Sequence, residues 1–297
     1  MFLLMFNWER RIHANDVRAA MSLSAQRKSS LVVRRRFVPR SPRDGEAMPS
    51  FDQTPDKPEP FGFKISWFAV KATDPATVLD ALEFKEAMPA NWASGLAAAY
   101  WNAQSRECWA FVSPPVSGWV LVVSSSLPYP TIETHHDIGK RFDVLFSRLM
   151  QRFDDVQFFG SHRGVGFVTW ARALNSKAMR IFAFGEADVV ANVGEQTPEE
   201  TKLTFLDLSG LAPSDASEKM FRVADEQTAE RDSLVASGLS RREARARVLQ
   251  KGCDALPDEA DVVDLAALWS IDPSRLSEQD HPLGLGLAAR LPENLAQ

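Results

Sequence analysis

The chain has little of what staples, spans or binds nucleotides. Two cysteines, Cys108 and Cys253, stand far apart in 297 residues and in no C-x-x-C spacing. Neither a disulfide framework nor a zinc knuckle is implied, and a reducing cytoplasm fits best. No stretch approaches the roughly 18 uninterrupted apolar residues of a membrane helix. No G-x-x-x-x-G-K-[ST] occurs, and Gly284-Leu285-Gly286 lies too near the C-terminus to open a dinucleotide-binding unit, so no cofactor is expected. What is present is ordinary: 45% hydrophobic and 25% charged residues, enough chain for a sizeable core. Composition announces a globular protein and no chemistry.

The net charge of −5 conceals an uneven distribution. Up to Ala47 there are ten Lys/Arg against four acids, or +6, and the remainder carries −11. An acidic body repels phosphate backbones, so nucleic acid is not an expected partner outside the basic leader. The opening Met1 to Phe6 run is too short for a signal-peptide core and is soon broken by Glu9-Arg10-Arg11. The leader reads as a transit peptide, as a basic tail for nucleic acid or anionic lipid, or as a dispensable extension before a start at Met48.

From Phe61 the pattern becomes regular. Phe61, Phe63, Ile65 and Trp67 alternate with smaller or polar residues and predict a strand that continues to Val70. Asp74-Pro75 then starts a helix carrying Val78, Leu79 and Leu82, and a second helix is expected from Asn91 to about Ala103, weakened by Gly95. Cys108–Val112 and Trp119–Val123, joined by a proline-rich turn, predict an antiparallel hairpin. Ile138, Phe142, Leu145, Phe146, Leu149 and Phe153 mark an amphipathic helix with one buried face. Four strands at 156–161, 165–173, 178–184 and 189–193 follow with short turns between them, as in an antiparallel meander. Thr197 to Glu200 and Ser240 to Glu243 are capping boxes. Between Ser214 and Lys251 charge is dense and apolar residues are sparse, the mark of an exposed helical insertion, and a last amphipathic helix carries Val262, Leu265 and Trp269.

The expected fold is α+β: a largely antiparallel sheet with helices packed on one face and a peripheral helical appendage. The expected organisation is a disordered basic leader over 1–60, an α+β body over 61–210, and a helical C-terminal extension over 211–297 that packs on the body.

Few residues point to chemistry. Six of eight tryptophans lie in the body; those on strands read as core, while Trp92 and Trp101, on the second helix, are the ligand-pocket candidates. Gly160-Ser161-His162-Arg163-Gly164 is a dense polar and glycine cluster. It reads either as a plain hairpin turn or as an anion site, with His162 as acid/base and Arg163 as anchor. Its serine is not central between glycines at a strand-to-helix elbow, so it is no hydrolase signature. His135-His136-Asp137 lacks metal-ligand spacing and reads as a helix start, and no metal site is expected. Arg241, Arg242, Arg245 and Arg247 form a basic helix face without interleaved aromatics, a solvated surface rather than a nucleic-acid platform.

The runs Phe63 to Lys71, Pro114 to Val123, Phe158 to Phe184 and Trp269 to Pro273 resemble a group of bacterial α+β proteins of no established activity. Some small proteins of this general type neutralise toxins as immunity proteins. The resemblance and the missing catalytic motifs together imply a non-catalytic cytoplasmic protein that binds a protein partner, a basic one by charge; the alternative is an enzyme for a small anionic substrate at the His162/Arg163 turn.

Overall fold

A computed structural model of the chain describes residues 50–101, 108–132, 137–250, 252 and 255–296. The basic leader before residue 50, His135, His136 and Cys253 lie outside the described residues. The elements are β1 (Ser66–Lys71), α1 (Pro75–Leu82), β2 (Lys85–Ala90), α2 (Trp92–Ala99), β3 (Trp109–Val112), β4 (Trp119–Ser124), α3 (Ile138–Met150), β5 (Asp155–His162), β6 (Phe167–Leu174), β7 (Lys177–Gly185), β8 (Asp188–Val193), α4 (Pro198–Lys202), α5 (Pro213–Ala236), α6 (Arg241–Leu249), α7 (Glu259–Trp269), a 3-10 helix (Pro273–Glu278) and β9 (Gly286–Arg290). Among the described residues nine strands join one sheet in the order β2-β9-β3-β4-β1-β5-β6-β7-β8, and their pairings are all antiparallel. The fold is α+β.

Helices cover both faces of the sheet, where the sequence pattern suggested one. In β1 the side chains of Trp67 and Ala69 enter one core and those of Phe68 and Val70 the other. A strand apolar on both faces must be sandwiched, whatever alternation precedes it. On the Phe68 face lie α1 and α3, bringing Val78, Leu82, Phe142, Leu145 and Leu149; on the Trp67 face lie α2, α7 and the start of α5, bringing Leu96, Val262, Leu265, Trp269 and Met220.

β1 begins later than the alternation predicts. Gly62 and Lys64 take left-handed φ values of 116° and 56°, which break the extended run before Ile65, and the Phe61 amide donates to the Pro273 carbonyl at 2.9 Å instead of to a strand. Phe61 and Ile65 still enter the Trp67 core. Asp74 caps α1 as read, accepting the Ala76 amide at 2.9 Å. Asp137 occupies the N-cap of α3, but its carboxylate turns to Lys140 at 2.7 Å rather than to the helix amides.

The two chain ends of the body depart from the expected organisation. Residues 51–60, read as the end of the leader, are tied to α2: the Asn91 amide donates to the Asp52 carbonyl at 2.8 Å, and the Asp56 carboxylate accepts the Trp92 and Ala93 amides at 2.7 and 3.0 Å. A carboxylate there satisfies orphan amides and interacts favourably with the positive end of the helix dipole. The segment after 210, read as helical, also supplies β9, which lies between β2 and β3. Its small residues carry no strand signal, yet they are what fits: a Cβ on Gly286 would lie 2.4 Å from the Val112 carbonyl. Close approach also explains Gly95, where a Cβ would lie 2.1 Å from the Phe111 ring.

Candidate functional site

The β5–β6 turn, the end of α2 and the start of α7 converge at one end of the sheet. His162 closes β5 and is exposed. Arg163 follows it in the turn, and its guanidinium lies 3.4 Å from the mostly buried Glu259 carboxylate, the first residue of α7. At the neighbouring strand end, the Ser125 amide donates to the Ala99 carbonyl at 2.8 Å, which draws the C-terminus of α2 over the sheet. The next residue, Tyr100, donates its hydroxyl to the Phe63 carbonyl at 3.2 Å. Burial pushes the Tyr100 phenol well above the ordinary tyrosine range; a backbone hydrogen bond from Gly62 opposes the shift and the Glu259 charge adds to it. Tyr100 is therefore a neutral donor at physiological pH and no base.

This geometry brings Trp101 to the same end as His162 and Arg163 but leaves Trp92 at the other. Trp101 is half-buried just beyond α2, beside residues 102–107, which are not described. Trp92 opens the helix and is fully buried, its ring edge-on to Phe111 at 5.3 Å. Eight residues of helix, about 12 Å, separate the two ends. Trp92 is a core residue, and an anion at the turn must compete with Glu259 for Arg163.

Sequence reasoning missed the buried charges. Arg180 of β7 and Glu200 of α4 are 3% and 1% exposed and meet at 3.0 Å. Glu200 also accepts the Trp170 indole N–H at 2.9 Å and the Thr197 amide at 2.8 Å, while Arg180 donates to Asn192 Oδ1 at 2.7 Å. The Thr197 capping box fixes where Glu200 points, so one side chain both starts α4 and neutralises Arg180. The signal was available, since Arg180 shares the register face of Phe182 and Phe184, but it needs the α4 docking to be interpreted. Beside the pair lies a cavity of about 10 Å³, lined by Trp170, Phe205, Met220 and Pro257 among others. That volume suits one water.

A second ionic group ties α7 to the sheet. Arg172 meets Asp155 at 2.9 Å and lies over the Trp269 ring, 5.6 Å from its centroid. Gln157 donates to both Asp155 and the Trp269 carbonyl, at 3.1 and 3.2 Å. In both groups the charges are spent on holding helices to strands.

The charged insertion forms an α5–α6 hairpin with a different character. Only Ala216, Ser217 and Met220 of the 24 residues in α5 are buried, and only Ala244 and Val248 in α6. Ser217 anchors the hairpin's base by accepting the Val189 amide at 2.8 Å. Gly238, at φ 102°, makes the turn, and the Ser240–Glu243 capping box restarts the helix. On α5 the exposed residues Asp215, Glu218, Asp225 and Asp232 fall within one face, opposite Ala216 and Met220. Along that face the acids extend about 26 Å.

Among the described residues no group of three or more His, Cys, Asp or Glu side chains is placed to hold a metal, and no helix is long and apolar enough to cross a membrane. Comparison with protein-family models, with curated proteins and with solved structures finds no match to this chain.

Proposed function

We propose that this protein acts by non-catalytic recognition of another protein in the cytoplasm, in the manner of an immunity-type inhibitor, and that the α5–α6 hairpin is its recognition element. The observation that carries this reading is the outer face of α5. A helix that buries three of its 24 residues, all in its first eight, leaves most of its length outside the core, and its outer face carries acids in register. Opposite charge steers and orients a partner more than it adds affinity, so the fitting partner presents a basic surface. The sheet body serves as the rigid mount.

Affinity capture from host lysate tests the reading, with wild type compared against the Asp215→Lys, Glu218→Lys, Asp225→Lys triple variant. A specific protein retained by wild type and lost with the triple supports it. Retention of nothing specific, or equal retention by both, overturns it.

A further inference from the structure

We infer that the base of the hairpin is a hinged plug over the buried Arg180–Glu200 pair, so that the docking of α5 and the hydration of that pair are coupled. The cavity beside the pair carries the coupling. The sheet contributes Trp170 and Arg180 to its lining, α5 contributes Met220, and Ala255 and Pro257 come from the segment after α6. Both stems of the hairpin, the one entering it and the one leaving it, therefore help to close one void. Met220 is 1% exposed, and the void of about 10 Å³ has room for one water. A carboxylate and a guanidinium sealed there attract each other more strongly than they would beside bulk water, so the strength of the pair depends on the seal.

Hydrogen bonds also join the pair to the start of α5. Arg180 Nη1 donates to Asn192 Oδ1 at 2.7 Å, and Asn192 Nδ2 donates to the carbonyls of Leu208 and Leu211, each at 2.9 Å, just ahead of Pro213. The Asn192 amide is thereby held in one orientation, its oxygen on the cation and its nitrogen on the segment that leads into the helix. The segment before α5 is fastened by Gln196, whose backbone amide donates to the Ser209 hydroxyl and whose side chain donates to the Phe205 carbonyl, both at 2.8 Å. The base of α5 is tied more lightly: the Val189 amide donates to Ser217 at 2.8 Å, and exposed Lys219 donates to the Asp207 carbonyl at 2.6 Å. Beyond Met220 the helix runs on to Ala236 without a buried residue, a lever of about 24 Å acting on that base. Fewer buried contacts make the hairpin the side of the cavity that opens first. This coupling does not depend on what the outer face of α5 binds.

The Trp170 indole N–H, which donates to Glu200 at 2.9 Å, reports on the seal, and its hydrogen exchange in the full chain, followed by NMR in low denaturant, tests the inference. In wild type that proton should exchange with the free energy and denaturant slope of the amides of residues 217–221, both smaller than those of the β1 amides. Met220→Ala should speed the indole exchange at least about tenfold beyond any change in β1, a comparison that removes its effect on global stability. Ser217→Ala, which deletes a single hydroxyl, should do the same by at least about threefold. Coupling is reciprocal, so Glu200→Gln should in turn speed the 217–221 amides relative to β1. An indole proton that exchanges in step with β1 in wild type overturns the inference. So do plug variants that speed the indole and β1 equally, or a Glu200→Gln variant that leaves the 217–221 amides unchanged relative to β1.

Discussion

Trp67 to Val70, four successive residues of β1, are completely buried, whereas α5, four times as long as β1, buries three residues of 24. The contrast runs through the two regions. Around β1 the strands are apolar on both faces, aromatic rings stack across strands, as Trp67 does on Phe159 at 5.2 Å, and the buried charges Asp155, Arg180 and Glu200 are held in ion pairs. In the hairpin the helices are held by a cap, a glycine turn and two buried residues of α6, and the charge faces outward. Burial of apolar area stabilises the first region, and local capping mainly shapes the second. A surface that contributes little to the fold can carry whatever charge its partner demands.

The largest expected effect is at the centre of the sheet. Trp67→Ala removes a fully buried ring from the Trp67 core and should cost about 3–5 kcal/mol in denaturant unfolding. A loss below about 1 kcal/mol would mean that the two-face packing is not what holds the body.

Next comes the buried ion pair. Glu200→Ala leaves Arg180 without its carboxylate in a nearly dry site and should cost about 3 kcal/mol or more. The double variant with Arg180→Met should recover part of that loss, because no charge is then stranded. A double variant as unstable as the single would contradict the pairing.

Tyr100 gives a pH dependence of definite sign. Its folded pKa is raised by burial, so its contribution to stability is complete at neutral pH and is lost as pH rises above the ordinary tyrosine value of about 10. Unfolding measured between neutral and alkaline pH should steepen in wild type above that point, and Tyr100→Phe should flatten the curve. Parallel curves would remove Tyr100 from the account.

The smallest effect belongs to the hairpin. Ser240→Ala removes the side-chain cap of α6 and should raise local amide exchange in that helix roughly fivefold while leaving the global unfolding midpoint unchanged. A shift of the whole transition would mean that the hairpin is part of the cooperative core.

Much of the architecture is legible from local pattern alone. The β3–β4 hairpin and the β5 to β8 meander emerge within a few residues because their turns are short and their apolar runs continuous. The α3 periodicity is equally direct, as Phe142, Leu145 and Leu149 all point inward. The long-range features are hidden. β2 is an edge strand with Pro89 and five exposed residues, and β9 is Gly-Leu-Ala-Ala-Arg, so neither alternates; each is a strand because of its neighbour. The covering of the second face depends on where helices dock. Of the candidate site residues, Trp101, His162 and Arg163 come to one end of the sheet, which their positions 60 residues apart do not foretell, and Trp92 joins the core because Asp56 anchors the start of its helix. Glu200 is legible as a cap and illegible as the partner of a buried arginine.

Native-state hydrogen exchange, read residue by residue, tests most directly the central claim that body and hairpin are separate in stability and in role. The amides of β1, β4 and β5 should exchange only through global unfolding, with one shared free energy and one denaturant slope, while those of α6 and the distal half of α5 exchange through a local opening several orders of magnitude more often. Equal protection in the hairpin and in β1 would contradict the account, because it would make α5 and α6 structural members of the core rather than a surface carried by it.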